Sequence, residues 1–185
     1  MSYRNVAFVG KARSGKDTAG KRLVTNWNFT RLAFADPLKR MALQVNPYIP
    51  TGYGVTVRLE SLIADVGWGY AKDRYPEVRR VLQHMGQTVR EQDEDFWLNV
   101  LMKKVQTADA WNIPVVVTDC RYLNEALTLK AHGFILVRIM RPDLVSTDSH
   151  DSENALNDFQ ADETLINGGS VFDLHTVTDA LVRQR

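Results

Sequence analysis

Residues 5–18 read NVAFVGKARSGKDT: a short apolar run from Val6 to Val9 meets Gly10, and a polar loop then leads into Gly15, Lys16, Asp17 and Thr18. The run has strand length and ends on a breaker, while residues 16–26 carry the pattern of a helix. Between them, Gly, four residues, then Gly-Lys is the spacing of a phosphate-binding loop. Gly10 and Gly15 permit a tight wrap that aims successive backbone N–H groups at one anion, and a helix beginning near Lys16 adds its positive dipole end. Lys16 supplies a mobile point charge for the outer phosphates, and Thr18 can donate to a phosphate oxygen. Asp17 stands where Ser or Thr usually ligates magnesium, and it can reach the ion directly or through water. The competing explanation is a plain strand-to-helix turn with an acid favouring the helix N-terminus. The G-x-G-x-x-G spacing of dinucleotide sites is absent.

Working outward, further short apolar runs at 29–35, 114–120, 134–140 and 163–167 read as strands. Residues 76–86, 93–110, 123–133 and 171–185 read as helices. Strand followed by helix, repeated, predicts a doubly wound α/β domain with helices on both faces of a parallel sheet. Two excursions interrupt the alternation. Residues 36–94 contain the turn-rich NPYIPTGYG and the basic, aromatic GWGYAKDRYPEVRR, and a shorter polar stretch covers about 141–161. Long insertions in such a domain are more often lids or substrate lobes than idle loops.

The run PVVVTDC ends in Asp119, with Arg121, Asn124 and Glu125 after it. An acid at the carboxyl end of a central strand can hold water on magnesium, or it can simply cap the next helix. Arg121 beside it suits recognition of a second phosphate, because a guanidinium offers a rigid fork to phosphate oxygens. Arg58, Arg74, Arg79, Arg80 and Arg90 lie in the long excursion; Arg79 and Arg80 read equally well as a solvated helix face. Gly86, Gln87 and Arg90 sit where one helix is expected to give way to the next. Trp68, Tyr70 and Tyr75 can stack a nucleobase or serve packing. The shorter excursion gathers Arg138, Arg141, His150, Ser152 and Glu153, a segment able to close over a nucleotide and exclude water. The turn from Asn167 to Ser170 is expected on the same sheet edge as the phosphate loop.

The chain has 185 residues with 23 Lys plus Arg against 22 Asp plus Glu, a formal net charge of +1. That balance provides no general attraction for a nucleic acid polymer or a membrane, so affinity for phosphate must be built locally. A single cysteine, Cys120, excludes an intramolecular disulfide framework and suits a reducing compartment. The opening residues lack a signal-peptide pattern and no run is long enough to span a bilayer, which makes a cytoplasmic protein the expectation, in the host cytoplasm if the source is viral.

Taken in order, GKARSGKDT, LAFADPLKR, LQHMGQTVREQDEDFW, VVVTDCRYLNEA, VRIMRP with HDSEN, and ETLINGGSVFDL resemble the P-loop nucleoside monophosphate kinases, most closely the bacteriophage type of deoxynucleoside monophosphate kinase. The Gly-Lys-Asp-Thr ending occurs in relatives of this type. The resemblance implies a three-layer fold around a five-stranded parallel sheet, a substrate lobe at about 36–94 and a lid at about 141–161. It implies an ATP phosphate site at Gly10, Arg13, Ser14, Gly15, Lys16, Asp17 and Thr18, with Asn167 and Gly168 bordering the adenine. Asp36, Lys39, Arg58, Trp68, Gln87, Arg90 and Arg121 would face the acceptor nucleotide. Arg138 or Arg141 would approach the transferred group, and Asp17 and Asp119 would serve Mg²⁺, Asp119 through water. The expected partners are small nucleotides, with a monomer or homodimer as the assembly. Two alternatives remain at this level: a small-molecule kinase resembling dephospho-CoA kinase, and a non-catalytic nucleotide-binding protein.

Overall fold

The computed structural model describes residues 3–144 and 155–183. The chain forms two compact units, one from residues 1–34 and 101–185, the other from residues 35–100.

The first unit is built on a five-stranded sheet. Its strands are β1 (Val6–Val9), β2 (Thr30–Leu32), β5 (Val115–Val117), β6 (Ile135–Met140) and β7 (Glu163–Ile166), in the spatial order β2-β5-β1-β6-β7. Every pairing is parallel, with Val6 opposite Val116 on one side and Ile135 on the other. All four residues of β1 are buried, which requires cover on both faces. Successive side chains alternate between faces. Val6 and Phe8 pack with Ala19 and Leu23 of α1 (Lys16–Trp27) and with Leu174 and Leu181 of α7 (Val171–Arg183). The remaining helices of this unit are α6 (Leu123–Ala131) and the later part of α5 (Phe96–Ala110). A bidentate pair, Arg22 Nε and Nη2 to Asp179 at 2.9 and 2.6 Å, joins α1 to α7, and Trp27 Nε1 donates to the same carboxylate at 2.7 Å.

β2 is shorter than the 29–35 run suggests. Ala33 and Phe34 leave the ladder, and the Phe34 N–H donates instead to Asp119 Oδ1 at 2.8 Å.

The second unit holds α2 (Ala35–Val45), β3 (Tyr48–Gly52), β4 (Val55–Arg58), α3 (Leu59–Arg74), α4 (Pro76–Gln92) and the start of α5. Its core is Ala42, Ile49, Leu59, Leu62, Ala71 and Val78. The stretch read as turn-rich is an antiparallel hairpin, in which Gly52, Tyr53 and Gly54 all have positive φ (116°, 49° and 75°). Pro50 is tolerated because the ribbon has only two strands, so its missing N–H costs no central ladder bond. α3 is kinked at Gly67, whose φ of 73° and ψ of 162° are non-helical. The helix expected over 76–86 continues to Gln92. Gly86 does not end it: a Cβ there would lie 3.1 Å from Leu38 Cδ2, so the glycine lets α2 approach, and its carbonyl accepts the Trp97 indole N–H at 3.2 Å.

Candidate active site

The loop between β1 and α1 is folded as its spacing demands. Gly10 and Gly15 have φ of 137° and 111°, and Arg13 adopts a left-handed φ of 63°. Gly15 caps α1 without any side-chain acceptor. A Cβ on Gly10 would lie 2.5 Å from Ile139 O, and one on Gly15 would lie 2.6 Å from Asn167 Nδ2. Both positions therefore exclude any larger residue.

Lys16 is 7% exposed despite its charge. Its ammonium donates to Gly10 O at 2.6 Å and Lys11 O at 2.7 Å, so the cation is held over the loop by the loop's own carbonyls. Ser14 is 1% exposed, and its hydroxyl is buried with no hydrogen-bond partner. A buried hydroxyl ordinarily finds one, which makes this atom a fit for an oxygen-rich anion. Asp17 is exposed in the first turn of α1 and Thr18 is half-buried.

Asp119 follows β5 and is half-buried, its Oδ1 engaged by the Phe34 N–H. Beside it Cys120 is fully buried. Desolvation pushes its thiol well up, the Glu125 and Asp119 carboxylates push it further, and Lys16 opposes them. Such a thiol is no nucleophile at neutral pH. Glu125, 2% exposed, accepts the Arg121 and Tyr122 N–H groups at 2.8 and 3.1 Å. It thereby fixes the backbone that carries Arg121, and this explains its place in the motif without any ligand.

Arg138 differs from the expectation. Its Nη2 donates to Leu156 O at 2.7 Å and Phe159 O at 2.6 Å, so its guanidinium ties the chain to β6 and is committed to carbonyls. Arg141 is exposed just beyond β6. His150, Ser152 and Glu153, with the rest of residues 145–154 of the expected lid, lie outside the described residues. Asn167 follows β7; its N–H donates to Met140 O at 2.7 Å and its Nδ2 to Ser14 O at 2.8 Å. A Cβ on Gly168 would meet only ordinary contacts at 3.9 Å, from Ile166 and Pro142. No reading of the sequence suggested the Asn167 bond, because its partners are 27 and 153 residues away.

In the second unit, Asp36, Lys39 and Trp68 come together. Lys39 Nζ is 3.8 Å from Asp36 Oδ1 and 5.9 Å from the centre of the Trp68 ring, which also packs against the unit's core. Gln87 and Arg90 lie one turn apart on α4, Gln87 Nε2 3.5 Å from Glu91 Oε1 and Arg90 3.9 Å from Glu94. Arg58 is placed otherwise: it stacks 3.9 Å over Tyr48 and donates to Asn46 O at 2.9 Å, bracing the hairpin. Arg79 pairs with Asp73 and the Lys72 carbonyl, and Arg80 with Glu77, as expected of a solvated face.

Among the described residues, no three His, Cys, Asp or Glu side chains gather to hold a metal. Mg²⁺ that arrives with phosphate oxygens and water needs only one or two carboxylates from the protein, and Asp17, exposed in the first turn of α1, is a donor of that kind. No helix among the described residues is long and apolar enough to cross a membrane.

The deoxynucleotide monophosphate kinase family model matches residues 55–177. A protein of Acanthamoeba polyphaga mimivirus, provisionally named deoxynucleotide monophosphate kinase, is 27% identical over 92% of both chains. An uncharacterized protein of Ictalurid herpesvirus 1 is 28% identical over 97% of this chain, which spans 65% of that protein. Among solved structures, dephospho-CoA kinase from Campylobacter jejuni aligns over 97% of this chain and 96% of its own, with a TM-score of 0.56 and 11% identity. TT1252 from Thermus thermophilus aligns over 100% and 98%, with a TM-score of 0.51 and 17% identity. These two likenesses establish the P-loop kinase fold alone. The family match begins after β3 and so owes nothing to the phosphate loop at 10–18; two independent stretches of the chain thus agree, and the protein belongs to the deoxynucleotide monophosphate kinase family of ATP-dependent phosphotransferases.

Proposed function

We propose that the chain transfers the γ-phosphoryl of ATP to the phosphate of a deoxynucleoside monophosphate, with the donor held on the loop at Gly10–Thr18. The loop itself carries this reading: a buried lysine ammonium and, two residues before it, a buried hydroxyl without a partner, at a helix start with no side-chain cap. Ser14 Oγ, Lys16 Nζ and the amides opening α1 bind the donor phosphates. Asp17 and Asp119 hold Mg²⁺, which when bound neutralises charge on the phosphates. Arg121 and Arg141 stabilise charge on the group in transfer.

In the second unit, Asp36, Lys39, Trp68, Gln87 and Arg90 recognise the acceptor; Arg58, committed to the hairpin, is left out of that set. A phosphate monoester with a second pKa of about 6 is already anionic at neutral pH, so no general base is required. One acceptor oxygen forms the new P–O bond as the bond to ADP breaks, and the protein contributes position and positive charge. Substrates of this kind belong to the cytoplasmic nucleotide pool.

The test is ADP release with ATP and Mg²⁺ over the four deoxynucleoside monophosphates and dephospho-CoA. Turnover of at least one monophosphate is expected, and Lys16→Ala should fold yet lose about a hundredfold in rate, on the order of 3 kcal/mol. Turnover confined to dephospho-CoA, or undiminished activity of Lys16→Ala, would overturn the assignment.

A further inference from the structure

The geometry points to Asn167 as a positioning residue that latches the phosphate loop, and not as a contact to the donor's base. The inference rests on the donor-site reading above. One bond and one close approach fasten the loop to the β6–β7 edge. At its start, Gly10 is so near the Ile139 carbonyl that a Cβ would lie 2.5 Å from that oxygen. At its end, Ser14 O accepts from Asn167 Nδ2 at 2.8 Å. Asn167 is itself fixed by its backbone, whose N–H extends the β6–β7 ladder onto Met140 O at 2.7 Å.

The orientation of the amide follows from chemistry. The Ser14 carbonyl can only accept, so the atom facing it must be the Asn167 nitrogen. Gly15 acquires a second reason to be glycine: a Cβ there would lie 2.6 Å from that nitrogen and 3.0 Å from Leu174 Cδ2. Without the amide, the carbonyl of Ser14, a residue 1% exposed, loses its acceptor bond at the point where the loop must turn its N–H groups toward the anion. The loop then has to be ordered by the ligand, and that ordering is subtracted from binding.

A latch and a base contact predict different losses. The latch serves every ligand that uses the loop, including one with no base. Wild type, Asn167→Ala and Asn167→Asp should be titrated with ATP and with inorganic tripolyphosphate, both with Mg²⁺, alongside KM for the monophosphate and the melting temperature. The aspartate keeps the size of Asn but turns an acceptor toward the carbonyl, so it reports even if the alanine variant folds poorly. The expected result is a loss of roughly tenfold, about 1.4 kcal/mol, in affinity for both ATP and tripolyphosphate, with the monophosphate KM unchanged. Unchanged tripolyphosphate affinity in the folded variants, with or without weaker ATP binding, would overturn the latch. If wild type binds neither ligand, the donor-site reading has failed instead, and that outcome is separate because it precedes any substitution.

Discussion

Gly20 lies within α1, the helix that begins at the phosphate loop, and its substitution by alanine isolates one packing constraint on that helix. A Cβ there would fall below 3.0 Å from Thr118 Cγ2, where ordinary contacts begin at 3.4 Å. Thr118 is 1% exposed and β-branched on a strand end, so it has little room to retreat. Alanine in place of glycine in a helix interior gains about 1 kcal/mol, while forcing a methyl into a packed core costs about 1–3 kcal/mol. The net expectation for Gly20→Ala is a destabilisation of about 1 kcal/mol, or a fall of roughly 2–4 °C in melting temperature. Thr118→Ser removes the offending methyl, after which the nearest neighbours are Thr118 Cβ at 3.7 Å and Val116 Cγ2 at 4.0 Å, both ordinary contacts. Gly20→Ala should therefore be better tolerated in the Thr118→Ser background by about 1–2 kcal/mol in a double-mutant cycle read by urea denaturation. Additivity of the two substitutions, or a Gly20→Ala protein more stable than wild type, would refute the close-packing argument.

Two further outcomes follow from individual groups. Thr118 Oγ1 is buried without a partner, so Thr118→Val, which keeps the shape and removes the hydroxyl, should raise stability by about 1 kcal/mol in the same urea assay; a loss would show that the hydroxyl is satisfied in solution. Asp162 feels desolvation, which alone would raise its carboxyl. The Lys130 ammonium, the Leu136 N–H and Arg4 outweigh it and leave the group below its ordinary 3.8. A folded value below the unfolded one stabilises above 3.8 and is lost as pH falls through the lower value, so the stability gap between wild type and Asp162→Asn should close in acid. A gap that stayed constant down to acid unfolding would contradict that sign.

The five strands of the first unit and the loop after β1 were legible because each is a local pattern: an apolar run with a breaker, or glycines at fixed spacing. In the second unit the helices α4 and the start of α5 were legible, but α2, the β3–β4 hairpin and α3 were not, for reasons specific to their residues. Pro37 falls in the first turn of α2, where a missing N–H is tolerated, yet in sequence it reads as an interruption. Gly67 and Gly69 break the periodicity of α3, and Gly67 does kink it. Gly86 has the appearance of a helix end because its real partner, Leu38, is 48 residues away. Of these only Gly86 answers to a tertiary neighbour; a Cβ on Gly67 or Gly69 would meet nothing within 4 Å, and Gly67 serves the backbone kink itself, yet local propensity reads all of them alike as punctuation.

The arginines show why the site was less legible than the fold. A guanidinium selected for phosphate and one selected for a carbonyl are the same residue, since both tasks use its planar fork of donors. Arg80 finds Glu77 three residues back and Arg79 finds Asp73 six residues back, so their commitment is visible in the sequence. Arg138 finds its carbonyls 18 and 21 residues on, and Arg58 stacks on Tyr48 across a hairpin that the sequence concealed. The same logic applies to Asn167, whose side chain could border a base or grip a carbonyl until Ser14 is seen beside it. A polar residue at a motif position thus points toward the site, but its task, touching the ligand or holding what touches it, is decided by a neighbour distant in sequence.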